Sequence, residues 1–393
     1  MLFSLAVLGL LGPFGTDIYL SALPDMADTF GVHMGLIQLT LSACTIGMAI
    51  GQFVLGSLSD ITGRRLIMIL GGILMTIASL VGAIAPSAWL LIGLCFLMGL
   101  GAAGGIVGGR AVVADLVHGE AAARPFSILG MLVSIGPVIA PLTGTLIFEI
   151  WGDWRAIFIG MAVLAAVGTL LVALNVPETH AHENRHQGGL PALMANAGKI
   201  LINRQYITHA IVMWLGFGLM FAYISSSSFI VQDVLGLSPT QYSLAFGTNG
   251  VGLIATSWLT ARLVKRYRPR SLMFVGVFGQ LAAVCTLIVL LSCGWVAIWT
   301  VLPTLFVMAA SMGFIFGPVT ALAMVEVRFA AGTAVALLGS IQFVAAAIST
   351  ATVGFISSNP LVSLTVIGCV VELLMFGILG LNFALERRRS VTR

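Results

Sequence analysis

The chain has 393 residues, of which 59% are hydrophobic and 8% charged, with a formal net charge of +4 and a mean hydropathy of +1.10. Soluble globular domains carry about 25% charged residues, so this composition excludes one, and long apolar runs between narrow charge clusters predict an all-α polytopic membrane protein. The 18 basic residues fall at the ends of those runs and gather on no single face, which excludes a nucleic-acid-binding surface.

A bilayer-spanning helix needs about 20 apolar residues. The sequence predicts twelve, near residues 2–22, 36–57, 66–85, 88–109, 126–148, 156–175, 207–231, 241–262, 271–292, 295–317, 332–357 and 361–384. The first lacks a basic leader and a small-residue cleavage site, so it is expected to stay as a helix and not leave as a signal peptide. Every basic residue except Arg155 lies on one side of the resulting alternation, a positive-inside pattern that puts both termini in the cytoplasm. The polar stretch from Glu178 to Arg204 divides the spans into six and six. This predicts an N-terminal half over 1–177, a linker over 178–205 and a C-terminal half over 206–393 with a short basic tail, and such a parallel repeat implies a central pathway. The two halves already make a complete pathway, so a monomer is expected.

Several features point to nothing catalytic. Gly99, Gly101 and Gly104 spell G-x-G-x-x-G, but inside an apolar span this is helix packing and not a dinucleotide fingerprint, so no cofactor is expected. His180, His182 and His186 in the linker lack a fourth ligand at fixed spacing, so no metal is expected. The five cysteines fall in apolar runs, where they behave as small hydrophobes, and they form no disulfide framework. All six histidines are predicted in loops or at helix ends, which argues against a membrane-embedded enzyme.

Ionisable and polar groups inside the spans carry the functional reading. An acid within a membrane helix costs a few kcal/mol when ionised, so it usually faces a cavity and exchanges protons. Asp17 is the foremost candidate for proton coupling, the other reading being a helix-end acid at the outer headgroups. Glu372, in the middle of the last span, is either a second proton site or a polar patch against water or a neighbouring helix. Tyr19, Gln38, Cys95, Met98, Tyr223, Ser226, Asn249 and Gln342 are candidates for lining a substrate cavity, and each polar one could equally hydrogen-bond between helices.

Three motifs carry a resemblance. The loop Gly56-Ser57-Leu58-Ser59-Asp60-Ile61-Thr62-Gly63-Arg64-Arg65 resembles the G-x-L-x-D-x-x-G-R-R/K signature of the major facilitator superfamily. Physically, Gly56 and Gly63 permit a tight turn, Asp60 can face a helix amino terminus, and Arg64 and Arg65 stay with the anionic headgroups. The resemblance implies a cytoplasmic gate that latches the two halves in the outward-facing state. Gly136-Pro137, followed by Pro141 and Gly144, resembles the motif that marks drug:proton antiporters, and its two prolines are expected to loosen the helix. Thr16-Asp17-Ile18-Tyr19-Leu20-Ser21-Ala22-Leu23-Pro24, with Asp153-Trp154-Arg155 and Pro177-Glu178-Thr179, looks like the Bcr/CflA-type drug-resistance transporters. The resemblance implies a major facilitator fold in a bacterial inner membrane, exporting small hydrophobic or amphipathic drugs in exchange for protons by alternating access. The alternative is a transporter of a defined metabolite, an amino acid or sugar, without obligatory proton coupling. One departure bears on coupling: Cys95 and Met98 stand where the family pattern has an Arg and a polar residue. Arg110 is no replacement, since fifteen residues of helix put it about 22 Å away.

Overall fold

The computed structural model describes residues 1–116, 123–179, 197–325, 327 and 331–391. It runs through α1 (Leu2–Asp17), a single 3-10 turn (Leu20–Ala22), α2 (Leu23–Phe30), α3 (Met34–Thr62), α4 (Arg64–Ala83), α5 (Ala88–Leu116), α6 (Ala123–Trp151) and α7 (Arg155–Asn175). There follow α8 (Arg204–Phe229) with a π turn at Ile230–Val234, α9 (Pro239–Leu263), α10 (Pro269–Cys293), α11 (Ile298–Ser311), α12 (Gly313–Met324), α13 (Ala331–Ile356) and α14 (Pro360–Val391). No strand occurs among the described residues. Ten helical stretches among them are long and apolar enough to span a membrane. The other two expected segments are also helical: α6 contributes the apolar stretch Ile135–Trp151, and α9 is long enough but diluted by Ser, Thr and Asn249.

The first segment is broken, and the reason is local. Pro24 lies in the first turn of α2. An α-helix running unbroken through it would bring the proline ring against the carbonyl of Leu20. The chain therefore leaves α1 at Asp17, tightens through Leu20–Ala22 and restarts at Leu23. The residues of this break, Asp17 to Leu23, are all buried in protein, which is where irregular backbone at membrane depth is tolerated.

The chain forms two compact units, Met1–Ala192 with Ser227–Thr248, and Leu193–Ser226 with Asn249–Arg393. In the first, α1 packs on α5, α6 and α7, while α5 packs on α3 and α4. The α3/α5 contact is close enough to need glycine: a Cβ on Gly47 would meet the Phe96 carbonyl and lie 2.9 Å from Leu100 N, and one on Gly99 would lie 3.0 Å from Cys44 Cα. Outward, α7 exposes Ile159, Val163, Val167, Leu170 and Leu174 while burying Ile157, Phe158, Met161, Ala165 and Val172. Apolar residues on both faces of a helix mark hydrocarbon, and not water, as its outer solvent. In the second unit α10 packs on α11, α12 and α14.

The α3–α4 connection corrects one expectation. Gly63 makes the reversal, with φ 108°, outside the range open to other residues. Gly56 does not take part in a turn: it lies inside α3, where a Cβ would touch Val107 at 3.4 Å.

Candidate functional site

Asp17 ends α1 with 3% of its surface exposed, and its Oδ1 is buried without a hydrogen-bond partner among the described residues. No ion pair involves it among those residues. Two residues on, the Tyr19 hydroxyl lies beside Thr40 of α3 and Cys95 of α5 without closing a full hydrogen bond to either. The Tyr19 ring stacks on Phe158 of α7 at 5.5 Å, and Phe158 meets Trp154 edge-on at 5.6 Å. Cys44 of α3 points its thiol at the Gly15 carbonyl of α1, 3.5 Å away, and lies within electrostatic range of both Asp17 and Cys95. Three helices, α3, α5 and α7, thus close on the break after α1. Gln232 secures it by donating to the Ser21 carbonyl at 2.9 Å and to Ser228 Oγ at 2.7 Å.

Of the candidates read from sequence, the fold brings together Asp17, Tyr19 and Cys95. Met98 and Gln38 are also buried, on α5 and α3. Thr40, Cys44 and Gln232 were not anticipated, and Phe158 was marked only as the end of the family-like stretch 153–158. Nothing in the sequence marks the other three, because their roles depend on the register between helices. Cys95 stands against a phenol and a thiol, so this pocket of side chains is built from neutral groups around one acid.

At the other end of α3 the Gly63 reversal leads into a polar network. Arg64 donates from Nε to Asp115 at 3.2 Å and from Nη1 to Ser59 at 2.7 Å, and Thr179 donates to the same Asp115 oxygen at 3.1 Å. Glu178 accepts from the backbone N–H groups of Arg64 at 2.9 Å and Arg65 at 3.1 Å, capping α4 with a negative charge where the helix dipole favours one. Arg65 donates to the Ala173 carbonyl through Nη2, at 2.5 Å. The Asp60 carboxylate lies outside the described side chains, as do His180, His182 and His186 of the linker.

On α6 the helix continues through Pro137 and Pro141. Gly136 and Gly144 do the packing: a Cβ on Gly136 would sit 2.8 Å from Pro13 Cβ, and one on Gly144 would meet the Ile18 carbonyl. The motif therefore fastens α6 to the stretch of α1 leading into Asp17. Ser243 of α9 donates to the Pro141 carbonyl at 3.3 Å and shares a short hydrogen bond with Thr145.

In the second unit Asn249 Nδ2 donates to Tyr223 Oη at 2.5 Å, both residues being buried. Ser226 donates back to the Ala222 carbonyl at 2.7 Å, a bond within its own helix. Gln342 precedes Phe343, which joins Phe217, Phe221 and Phe316 in a cluster with centroids 4.9–6.4 Å apart. Glu372 of α14 is 3% exposed, with neither carboxylate oxygen hydrogen-bonded among the described residues. One turn either side of it, Gly368 packs on Val284 and Phe376 meets Phe278, so Glu372 stands level with Gln280 of α10.

Residues 5–350 match the family model described as Major Facilitator Superfamily. The chain belongs to that superfamily. This transporter is 31% identical to an uncharacterised MFS-type transporter, YdgK, of Bacillus subtilis over 90% of its own length and 88% of the relative's. It is 28% identical to the bicyclomycin resistance protein homolog of Haemophilus influenzae, covering 88% of this chain and 86% of that one. It is also 28% identical to multidrug resistance protein D of Escherichia coli, covering 87% and 85%. These names bear out the Bcr/CflA-type resemblance. Among solved structures, a bacterial homolog of the human lysosomal transporter Spinster matches with a TM-score of 0.78 at 14% identity, covering 96% of each chain, which shows a shared fold. The family points to a transporter rather than an enzyme.

Proposed function

We propose that this transporter is a secondary active exporter of small hydrophobic or amphipathic drugs, driven by proton exchange through alternating access. The observation that carries the reading is its 28% identity, over most of both chains, to relatives named for bicyclomycin and multidrug resistance. Asp17 supports the coupling: an ionised carboxylate deep in a membrane protein must pair, meet water or exchange its proton, and no cation pairs with it among the described residues. Glu372, equally buried, is the second proton-exchanging acid. Tyr19, Cys95 and Met98 line the substrate's route in the N-terminal half, and Tyr223, Asn249 and Gln342 in the C-terminal half. The residues Gly63, Arg64 and Arg65, with Asp115 and Glu178, form the cytoplasmic gate. In this reading residues 1–177 and 206–393 are the two six-helix halves, both termini are cytoplasmic, and a monomer works in the bacterial inner membrane.

The experiment is substrate-induced proton movement in proteoliposomes, comparing wild type with Asp17→Asn across a panel of hydrophobic antibiotics, amino acids and sugars. Proton flux evoked by the antibiotics and abolished by the substitution is the expected result. A response confined to one polar metabolite, or drug transport without proton flux, would overturn the reading.

A further inference from the structure

Cys44 and Cys95 lie on adjacent helices that run side by side in the same direction, and the α3/α5 contact sets their register. Gly47 of α3 meets Phe96 and Leu100, and Gly51 meets Leu100 and Ala103. Cys44, three residues before Gly47, therefore falls level with Cys95, just before Phe96. The backbones nearly touch here, because a Cβ built on Gly99 lies only 3.0 Å from Cys44 Cα and closer still to its carbonyl. Both thiols also point the same way: Cys44 turns towards Gly15 of α1, and Cys95 towards Tyr19. Both are free and fully buried. A disulfide joins cysteines whose Cα atoms are about 4.4–6.8 Å apart with Cβ vectors converging, and level positions on helices in backbone contact, with both thiols turned toward the end of α1, are the arrangement from which such a bond can form.

We propose that Cys44 and Cys95 are a redox-active dithiol, the site of a reversible intramolecular disulfide that bolts α3 to α5 beside Asp17. Cys44 and Cys95 are the two cysteines of the first unit; Cys285, Cys293 and Cys369 all belong to the second. The oxidant class is a small, neutral, membrane-permeant two-electron acceptor, an azodicarboxamide serving as probe. One thiol loses its proton and its sulfur adds to a nitrogen of the N=N bond. The second sulfur then displaces that nitrogen, forming S–S. The two thiol hydrogens end on the two nitrogens, so the azo compound leaves as its hydrazine and the protein is oxidised by two electrons. The bond joins two of the helices that close on Tyr19 and Asp17, and in a transporter whose turnover depends on helix movement it acts as a brake.

The test oxidises purified protein with the azodicarboxamide, quenches in acid, alkylates under denaturing conditions and maps peptides by mass spectrometry. Expected is a fall from five alkylatable thiols to three, with a Cys44–Cys95 linked peptide and full recovery on reduction. Cys44→Ser and Cys95→Ser each abolish the linkage, and replacing Cys285, Cys293 and Cys369 with Ser leaves it intact. Both thiols remaining alkylatable in wild type, or either forming a separate adduct or pairing elsewhere, would overturn the site; this arm needs no transport activity. The regulatory half rests on the transport reading. Oxidation should lower substrate-driven flux about tenfold, as expected when a conformational step limits turnover, and reductant should restore it. The oxidised-to-reduced ratio in Cys44→Ser should stay near one. A linked protein that transports at the unlinked rate would overturn the brake.

Discussion

Gly99→Ala tests the helix register on which the site depends. The added methyl lies 3.0 Å from Cys44 Cα and nearer to the Cys44 carbonyl, so both obstacles are backbone and no side chain can rotate away. Overpacking a filled interior costs about 1–3 kcal/mol, and the rigid opponent puts this case near about 3. Helix propensity returns about 0.8–1.0 kcal/mol for Gly→Ala, leaving a net loss of about 2. Gly93 on the same helix is the control: nothing lies within 4 Å of its Cβ position and the residue is exposed, so Gly93→Ala keeps the propensity gain alone. The two variants should differ by about 3 kcal/mol, roughly 6–12 °C in midpoint at the scaling of larger soluble domains. A thiol-reactive fluorophore reads the transition, since unfolding uncovers Cys44 and Cys95 while Cys285 and Cys293 are already exposed and set the baseline. Equal midpoints for the two alanine variants would refute the close approach of α3 and α5.

Three other experiments probe the remaining groups. Arg64→Ala and Asp115→Ala remove a pair whose side chains are 11% and 21% exposed; a double-mutant cycle in thermal stability should return about 1–2 kcal/mol of coupling, between the exposed and buried limits, and zero coupling would sink the network. Tyr223→Phe leaves the buried Asn249 donor unpaired at about 1–3 kcal/mol, whereas Tyr223→Phe with Asn249→Leu should recover most of it. If that double variant folds and still transports at the wild-type rate, the two residues are packing and not cavity lining. Glu372→Gln keeps the shape and removes the ionisable group; protons moved per substrate should fall by about one, and an unchanged ratio in proteoliposomes would dismiss Glu372 as a proton site.

The amino-acid pattern made the helices legible because hydropathy over about 20 residues needs no knowledge of neighbours. Each expected span coincides with a helix or a broken pair of helices, and Gly63 was readable as a reversal from its place before two arginines. Gly56 was misread because a glycine beside a loop signature looks like a turn residue, whereas its use is against Val107 within α3. Glu178 was visible only as part of a resemblance, and its cap on α4 depends on the chain returning from α7 to a point 113 and 114 residues earlier in sequence. Such distant pairings leave no periodicity to read.

The same limit explains why Cys95 read as a loss and the structure gives it a setting. From one span alone, a thiol in place of a fixed cation is a deletion of charge. Placed by the α3/α5 contact, it adjoins Tyr19 and comes within range of Cys44, and that arrangement follows from glycines: Gly47, Gly51 and Gly99 bring two backbones so close that small residues must fill the neighbouring positions. A guanidinium at position 95 would need room and a partner beside a fully buried phenol. The short side chain suits the close packing, and it leaves Asp17 the acid in a neutral surround. If the proposed substrate route runs past these residues, selectivity there rests on shape, aromatic faces and the one acid, which suits apolar, chemically varied substrates better than a fixed anion.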